Sequence, residues 1–258
     1  MLRSLGSRIV GSFRHVSAVS VVGLLFVFFV SAAQYFQLAK MARLEIQLQR
    51  LEGAIVSQRP GRPVGSTPSQ TVGPSVVSLK GAPTKGGASA KVAIIEYSDF
   101  QCPYCARFAT TTQREIEDVY VSTGLVRLAF RHLPIESLHP AAVSASIAAS
   151  CAGEQEQFWP MHDRIFQSPK DLAAPSLLRR ARELELDVPR FEKCVASGQK
   201  AQIEGDASEA KRFGLSGTPA FLLGSFQADG SVRVTKKIIG SQPFATFKEA
   251  VDGLLAAK

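Results

Sequence analysis

The chain has 258 residues, 45% of them hydrophobic, so it can bury one sizeable core and has residues to spare for appendages. Its formal net charge of +8 comes from the N-terminal part: residues 1–90 hold 10 basic and 2 acidic residues, and residues 91–258 hold 20 of each. Because the larger part is neutral and has no basic stripe with interleaved aromatic residues, we do not expect nucleic-acid binding.

The first hydrophobic segment predicts a membrane anchor. Residues 16–33 are uncharged and mostly apolar, and their number is near the lower limit for a helix that crosses a bilayer. A cleavable signal peptide has the same layout, and residues 31–33 resemble a cleavage site, but its apolar core is usually shorter. We therefore favour an uncleaved anchor, with residues 1–15 as a basic cytoplasmic segment and the rest of the chain outside the cytosol.

A stalk helix and a linker are predicted next. Residues 34–58 are helix-forming and carry apolar side chains at spacings of three and four, namely Met41, Leu44, Leu48, Leu51 and Ile55. Two heptads are too short for a coiled coil alone, so a solvated stalk is the simpler interpretation and a homodimer through residues 41–55 is the alternative. Residues 59–90 are rich in Pro, Gly and Ser and predict a flexible linker, in which only Val76 and Val77 suggest an edge strand.

A strand, two cysteines and a helix follow the linker. Residues 92–97 are mostly apolar and partly β-branched, which is typical of a buried strand, and residues 106–120 have the pattern of a helix lying over a sheet. Cys102 then occupies the helix cap, with Pro103 in the first turn, where its missing N–H costs nothing. Cys105 comes three residues later, so both sulfurs lie on one face of the helix, close enough to form a disulfide.

This setting predicts a redox-active dithiol. The free N–H groups and the dipole at the start of the helix favour a thiolate at Cys102, which would attack, and Cys105 would resolve the mixed disulfide. The alternative is half of a zinc site. Because Cys151 and Cys194 are isolated and do not form a second Cys-x-x-Cys pair, we predict no metal site.

The rest of the chain predicts a strand, several helices, two closing strands and a last helix. These elements are a strand at 126–133, helices near 140–152, 157–166, 175–185, 189–196 and 201–213, strands at 220–223 and 232–239, and a helix at 244–257. The two closing strands flank Asp229-Gly230, as in a hairpin. The predicted order is that of a thioredoxin-like α/β domain over residues 91–258, with a helical insertion at 139–200.

Three segments, in this order, resemble the DsbA-like thioredoxin-fold proteins of the bacterial cell envelope. Residues 97–105 resemble the active site, Phe158-Trp159-Pro160-Met161-His162-Asp163 resembles the helical insertion, and Gly217-Thr218-Pro219-Ala220-Phe221 resembles the loop in which a cis-proline faces the dithiol. The resemblance covers roughly residues 76–258. Three ordered landmarks make it far more specific than a lone Cys-x-x-Cys.

The resemblance implies roles for residues around the dithiol. An X-Pro bond is usually trans, but the resemblance implies a cis bond at Thr218-Pro219, with the Thr218 backbone pairing with an extended substrate segment. Pro103 and Tyr104 form the dipeptide between the cysteines, and Tyr104, as its second residue, should tune the reduction potential through its contacts with the sulfurs.

Glu96 is a carboxylic acid at the end of an otherwise apolar strand, six residues before Cys102. This spacing is similar to that of the family's buried acid, whose raised pKa would let it exchange a proton with Cys105 through water. The alternative is a side chain that points to solvent from the strand end.

Cys151 and Cys194 are most simply a structural disulfide within the insertion, because an even cysteine count in an oxidising compartment favours pairing. Two buried free thiols and a second redox relay are the alternatives.

These expectations together describe a single-pass protein of the inner membrane whose thioredoxin-like domain lies in the periplasm or an equivalent extracytoplasmic space. It would donate disulfides to exported proteins with cysteines, need no cofactor beyond its own dithiol, and be reoxidised by a membrane redox partner. The alternatives are a disulfide reductase or isomerase acting as a dimer, and a thioredoxin-fold module that binds clients without redox chemistry.

Overall fold

A six-stranded sheet organises the chain in the computed structural model, which describes Lys40 and residues 69–257. The strands are β1 (Gln70–Val77), β2 (Thr84–Lys85), β3 (Val92–Ser98), β4 (Val126–His132), β5 (Ala220–Phe226) and β6 (Val232–Ile239), in the spatial order β1-β6-β5-β3-β4-β2. Strand β3 pairs in parallel with β4 and antiparallel with β5. This is the thioredoxin-like arrangement that the element order predicts.

The helices lie close to their predicted positions. They are α1 (Pro103–Thr110), α2 (Thr112–Ile116), α3 (Ala142–Gly153), α4 (Phe158–Gln167), α5 (Ala174–Glu183), α6 (Val188–Ser197), α7 (Lys200–Arg212) and α8 (Phe244–Ala256), with a π-helical turn at Glu117–Val121. The predictions for residues 1–15, 16–33 and 34–58 fall outside the described residues, apart from Lys40, which is helical. Within Lys40 and 69–257, no helix combines the length and hydropathy needed to cross a bilayer.

The single helix predicted over residues 106–120 is wrong. The helix breaks at Thr111, where φ is −124° and ψ is −86°, and resumes as α2. The hydroxyls of Thr110 and Thr111 donate hydrogen bonds to the carbonyls of Ala106 (2.8 Å) and Arg107 (2.7 Å). Threonine side chains that bond back to the preceding turn bend and weaken a helix, which explains the break.

The prediction of a linker over residues 59–90 is also wrong beyond residue 69, since β1 and β2 form the two edges of the sheet. Gly73 and Pro74 hide β1 in the sequence, but they lie where its register against β6 shifts, and an edge strand tolerates proline at such a bulge. Gly86 has φ +114°, and a Cβ there would lie 2.5 Å from the Val126 carbonyl oxygen. This glycine serves close backbone packing rather than flexibility. The folded domain accordingly includes β1 and β2 and does not begin at residue 91.

Strand β3 is buried on both faces, which explains its almost continuous apolar sequence. One face, with Val92 and Ile94, packs into a cluster that includes Phe108 of α1 and Phe247 of α8. Ala93, Ile95 and Tyr97 face a different cluster on the other side. Because side chains alternate along a strand, Glu96 and Ser98 point to the α1 side.

The helical insertion packs directly against the segment that carries the two active-site cysteines. Phe100, Cys102 and Cys105 belong to the same buried cluster as Phe158 and Met161 of α4. A disulfide between Cys151 and Cys194 joins helices α3 and α6 of the insertion, with the two Cα atoms 5.7 Å apart. Both cysteines are buried.

We expect the double variant Cys151→Ala/Cys194→Ala to lose about 2–4 kcal/mol of unfolding free energy, because the disulfide closes a long loop in the unfolded chain. The bridged cysteines are 43 residues apart in sequence. Urea denaturation followed by far-UV circular dichroism measures the loss. A thiol count on the denatured, unreduced Cys102→Ser/Cys105→Ser variant gives an independent check: it should find no thiol, and finding two would contradict the disulfide.

Candidate active site

The turn after β3 places both cysteines at the start of α1, at one edge of the sheet. Cys102 is the N-cap of α1 with extended backbone dihedrals, and Pro103 is the first residue of the helix, as the sequence predicts. Cys102 is 4% exposed, Cys105 is fully buried, and both are free thiols. Tyr104, between them, is 57% exposed. The Tyr104 ring therefore faces solvent, Cys102 keeps a small exposed area beside it, and Cys105 is fully enclosed.

The two thiols have opposite protonation behaviour. The pKa of Cys102 is lowered to about 5, chiefly by a hydrogen bond from the Cys105 thiol, with further help from Thr218 and from the backbone N–H groups of Cys105 and Tyr104. Burial raises the pKa of Cys105 well above its usual value, and the neighbouring Cys102 raises it further. At neutral pH, Cys102 is a thiolate and Cys105 holds its proton, so Cys102 is the more nucleophilic of the two.

The loop before β5 completes the surface around Cys102. The Thr218-Pro219 peptide bond is cis, and the Cys102 sulfur lies 3.5 Å from the Thr218 carbonyl oxygen. These residues meet because β3 and β5 are antiparallel neighbours with Tyr97 opposite Ala220, so the end of β3 and the start of β5 share one sheet edge. The Thr218 hydroxyl is buried and has no hydrogen-bond partner within the described residues. Thr218 nevertheless lowers the pKa of Cys102, so its hydroxyl is close to that sulfur without hydrogen-bond geometry.

Glu96 is buried on the face of the sheet that α1 covers. Its side chain is fully enclosed, and neither carboxyl oxygen has a hydrogen-bond partner in the described part of the chain. Its pKa is raised to about 8, mainly by burial and also by the negative charge of Glu117, against an opposing effect of Ser98. Ser98 also lowers the pKa of Cys105, so its hydroxyl is close to both groups, although neither contact has hydrogen-bond geometry. The solvent-facing alternative for Glu96 is not observed.

An ion pair near Glu96 is absent from the sequence predictions. The ammonium of Lys85 lies 2.9 Å from Glu117 Oε1, which also accepts a hydrogen bond of 2.7 Å from the side-chain amide of Gln113. Lys85 additionally lies 4.6 Å from the centre of the Trp159 ring. Sequence reasoning missed Lys85 because it lies in the segment predicted to be a linker. The only feature that could have indicated it was a lysine next to glycine in a short strand at the sheet edge.

A second overlooked group holds the active-site turn in place. The Asp99 carboxylate accepts hydrogen bonds from the backbone N–H groups of Gln101 (2.8 Å) and Ile135 (2.8 Å), and lies 2.9 Å from His139 Nδ1. The Gln101 side chain in turn accepts a 2.7 Å hydrogen bond from the Ala141 amide. These contacts fasten the turn to the loop that leads into the insertion. In the sequence, the feature that could have indicated this group is the pair of polar residues Ser98 and Asp99 that follows the predicted strand at 92–97.

The other predicted sites have simpler positions. Because Cys151 and Cys194 are bonded to each other, they are not available to complete a metal site with Cys102 and Cys105. His132 and His162 are fully buried, and burial lowers the pKa of both, that of His132 to about 3. They are neutral members of the aromatic packing around Phe130.

Comparison with known sequences gives a family and a set of larger relatives. A family model described as thioredoxin matches residues 78–252. The Na(+)/H(+) antiporter NhaA 3 of Salinispora tropica is 38% identical over 151 residues, which are 58% of this chain and 22% of the antiporter. The chain spans about a quarter of the length of the antiporters that it matches.

Solved structures give the same fold. BdbD of Bacillus subtilis, in its oxidised form, matches with a TM-score of 0.60 at 19% identity, covering 72% of this chain and 99% of that chain. DsbA2 of Pseudomonas aeruginosa matches with a TM-score of 0.53 at 27% identity, covering 71% of this chain and 96% of that chain. The match to BdbD concerns the fold alone, because the identity is low.

We expect Cys105→Ala to raise the pKa of Cys102 from about 5 toward the ordinary thiol range, because the largest stabilising hydrogen bond to the thiolate is lost. Cys105→Ser keeps a hydrogen-bond donor and should change the pKa much less. The rate of iodoacetamide alkylation as a function of pH measures both values. Equal pKa values in the two variants would contradict the assigned hydrogen bond.

Glu96 should make stability depend on pH. Its carboxyl ionises near pH 4.5 when unfolded and near pH 8 when folded, so the unfolding free energy contributed by this group falls as pH rises between these values. We expect Glu96→Gln to lack this pH dependence. From pH 5 to pH 8, its unfolding free energy should therefore rise by about 2–4 kcal/mol relative to that of the wild type.

Urea denaturation of the oxidised proteins measures the effect without the titration of Cys102. Glu249→Gln, an exposed glutamate of α8, is the matched control and should keep the wild-type pH dependence. Parallel pH profiles for Glu96→Gln and the wild type would show that the carboxyl ionises normally in the folded protein.

Proposed function

The chain belongs to the thioredoxin family, within its DsbA-like group, and we therefore propose that this thiol-disulfide oxidoreductase acts as an oxidase that donates disulfides to exported proteins. The observation that carries the proposal is the lowered pKa of Cys102. A stabilised thiolate favours the reduced form of the dithiol, and a dithiol whose reduced form is stabilised oxidises other thiols.

The oxidation proceeds in two exchanges. A substrate thiolate attacks the Cys102 sulfur of the Cys102–Cys105 disulfide, the bond between the two cysteines breaks, and Cys105 leaves with the electron pair. A second substrate thiolate then attacks the substrate sulfur of the mixed disulfide, and Cys102 leaves as a thiolate. Two electrons have moved from the substrate to the dithiol, one proton is held by Cys105, and the other is released.

Glu96 supplies a proton for the first exchange. The Cys105 leaving group needs a proton because burial disfavours its thiolate. Glu96 lies on the same side of the sheet as α1 and is protonated below about pH 8, so it is a proton donor without direct access to solvent. Ser98 is close to both groups, so the proton would pass from Glu96 to Cys105 by way of its hydroxyl.

The substrate chain lies beside the cis-proline loop. Thr218 presents its carbonyl oxygen next to the Cys102 sulfur, and an extended segment can pair with this backbone in the manner of an added strand. Backbone pairing is independent of side chains, which suits an enzyme that oxidises many different exported proteins.

The location and the redox partner follow from the chemistry. Stable disulfides form outside the cytosol, so the domain would face the periplasm or an equivalent space, tethered by residues 16–33. A membrane protein would accept the two electrons and reoxidise the dithiol. We propose no ion transport from the similarity to the antiporters, because the shared segment is only a quarter of their length.

The reduction potential of the full chain, equilibrated with glutathione, tests the direction of electron flow. We expect a value near the oxidising end of the family range, about −120 mV, because the Cys102 thiolate is stabilised. A value of about −270 mV would instead mark an electron donor and contradict the oxidase proposal.

Cys102→Ser separates an enzyme from a client-binding module. This variant should lose all oxidative-refolding activity toward a reduced, unfolded protein, because no disulfide can be transferred without the Cys102 sulfur. Activity equal to that of the wild type would exclude the oxidoreductase mechanism and leave client binding as the explanation.

A further inference from the structure

An exposed arginine on the same helix as the two cysteines takes no part in the exchange described above. Arg107 is on α1, five residues after Cys102, a rise of about 7.5 Å along a helix. Its guanidinium lies 5.3 Å from the centre of the exposed Tyr104 ring. An arginine over an aromatic face is held by cation–π attraction, so the two side chains form one surface.

The position of Arg107 is fixed by the loop between β6 and α8. Its Nε donates to the Ser241 hydroxyl (3.3 Å) and its Nη2 donates to the Ser241 carbonyl (3.4 Å). This loop is joined to the cis-proline loop, since the Gly240 amide donates a 2.8 Å hydrogen bond to the Pro219 carbonyl. Arg107 is thus attached to the same framework that positions Thr218 beside Cys102.

The guanidinium has unused binding capacity. In the described part of the chain Arg107 forms no ion pair, although Glu115 lines the same groove. A guanidinium has five N–H donors, and the two contacts with Ser241 use two of them. The groove, of about 580 Å³, is open to solvent along α1 and α2. A carboxylate can therefore approach the remaining N–H groups in the paired geometry that arginine favours.

We propose that Arg107 is a specificity-determining residue that binds an acidic side chain of the substrate polypeptide, close in sequence to the cysteine that attacks Cys102. An extended chain advances about 3.3 Å per residue, so the acidic residue would lie within about three residues of that cysteine. The Tyr104 ring contacts the apolar part of the same segment. This inference rests on the proposed function, because it assigns a substrate preference to the same exchange reaction.

The test uses the oxidised full chain and three reductants. Two are dithiol peptides of identical sequence except that glutamates or lysines flank the attacking cysteine, and the third is dithiothreitol, which is uncharged. Stopped-flow measurement gives a second-order rate constant for each. The ratio of the two peptide rates reports recognition, because any change in the reactivity of Cys102 affects both peptides and cancels.

We expect the wild type to prefer the glutamate peptide about three- to tenfold over the lysine peptide at low ionic strength, and to lose most of this preference in about 0.5 M salt. Arg107→Glu should reverse the preference, and Arg107→Gln should abolish it. Arg233→Glu is the matched control. It makes the same charge change on an exposed position of β6 opposite Ser225, at the far end of β5 from the cis-proline loop, and should keep the wild-type ratio.

The outcomes separate the two proposals. A peptide ratio that is the same in the wild type, Arg107→Glu and Arg233→Glu would overturn the role of Arg107, as would equal slowing of all three reductants in the Arg107 variants, which indicates a structural role. Failure of dithiothreitol to reduce the Cys102–Cys105 disulfide of the oxidised wild type would instead overturn the proposed oxidoreductase chemistry, whatever the peptide ratio.

Discussion

The antiparallel pairing of β3 with β5 is the constraint on which the site depends. With Tyr97 opposite Ala220, the turn that carries Cys102 and the loop that carries Thr218 leave the sheet at the same edge, although 116 residues separate them. A slip of one residue would exchange the two faces of β3 and move Glu96 away from α1. Because Ile94 and Ile95 are both buried, on opposite faces, apolar burial alone would tolerate such a slip, whereas the position of Glu96 would not.

The polar groups beneath the dithiol oppose the apolar packing around them. Glu96, Ser98 and Gln113 each have a buried oxygen without a hydrogen-bond partner among the described residues, and such a group costs about 1–3 kcal/mol. The aromatic cluster of Phe108, Phe221 and Phe247, with ring centres 4.5 to 5.4 Å apart, lies on the same face of the sheet and offsets this cost. The fold thus keeps a titratable group where apolar residues alone would be more stable.

The parts of the structure that the sequence predicts are those with a local cause. The buried strand, the cap at Cys102 and the helices of the insertion follow from periodicity and from residue preferences within a few positions. Only the end of β1, the edge strand suggested at Val76 and Val77, could be predicted, because Gly73 and Pro74 interrupt its alternation and the pairing with β6 extends it to Gln70. The contacts of Lys85 with Glu117 and of Asp99 with His139 join residues 32 and 40 positions apart, so no local pattern indicates them. The cis bond at Pro219 and the burial of Glu96 beneath the dithiol were expected from the family resemblance and not from composition.

The low pKa of Cys102 and the high pKa of Cys105 have one cause in common, the hydrogen bond from the second thiol to the first. When the disulfide is reduced, charge remains at the Cys102 sulfur and the proton is held at the fully enclosed Cys105 sulfur. In the proposed oxidation, electrons would therefore enter from the substrate side of α1, whereas the proton would be exchanged on the sheet side. On this side of the sheet, Glu117 raises the pKa of Glu96, and Glu117 and its ion-pair partner Lys85 are 17% and 26% exposed. Separation of the two paths allows a substrate to cover Cys102 completely without blocking the proton exchange that its oxidation requires.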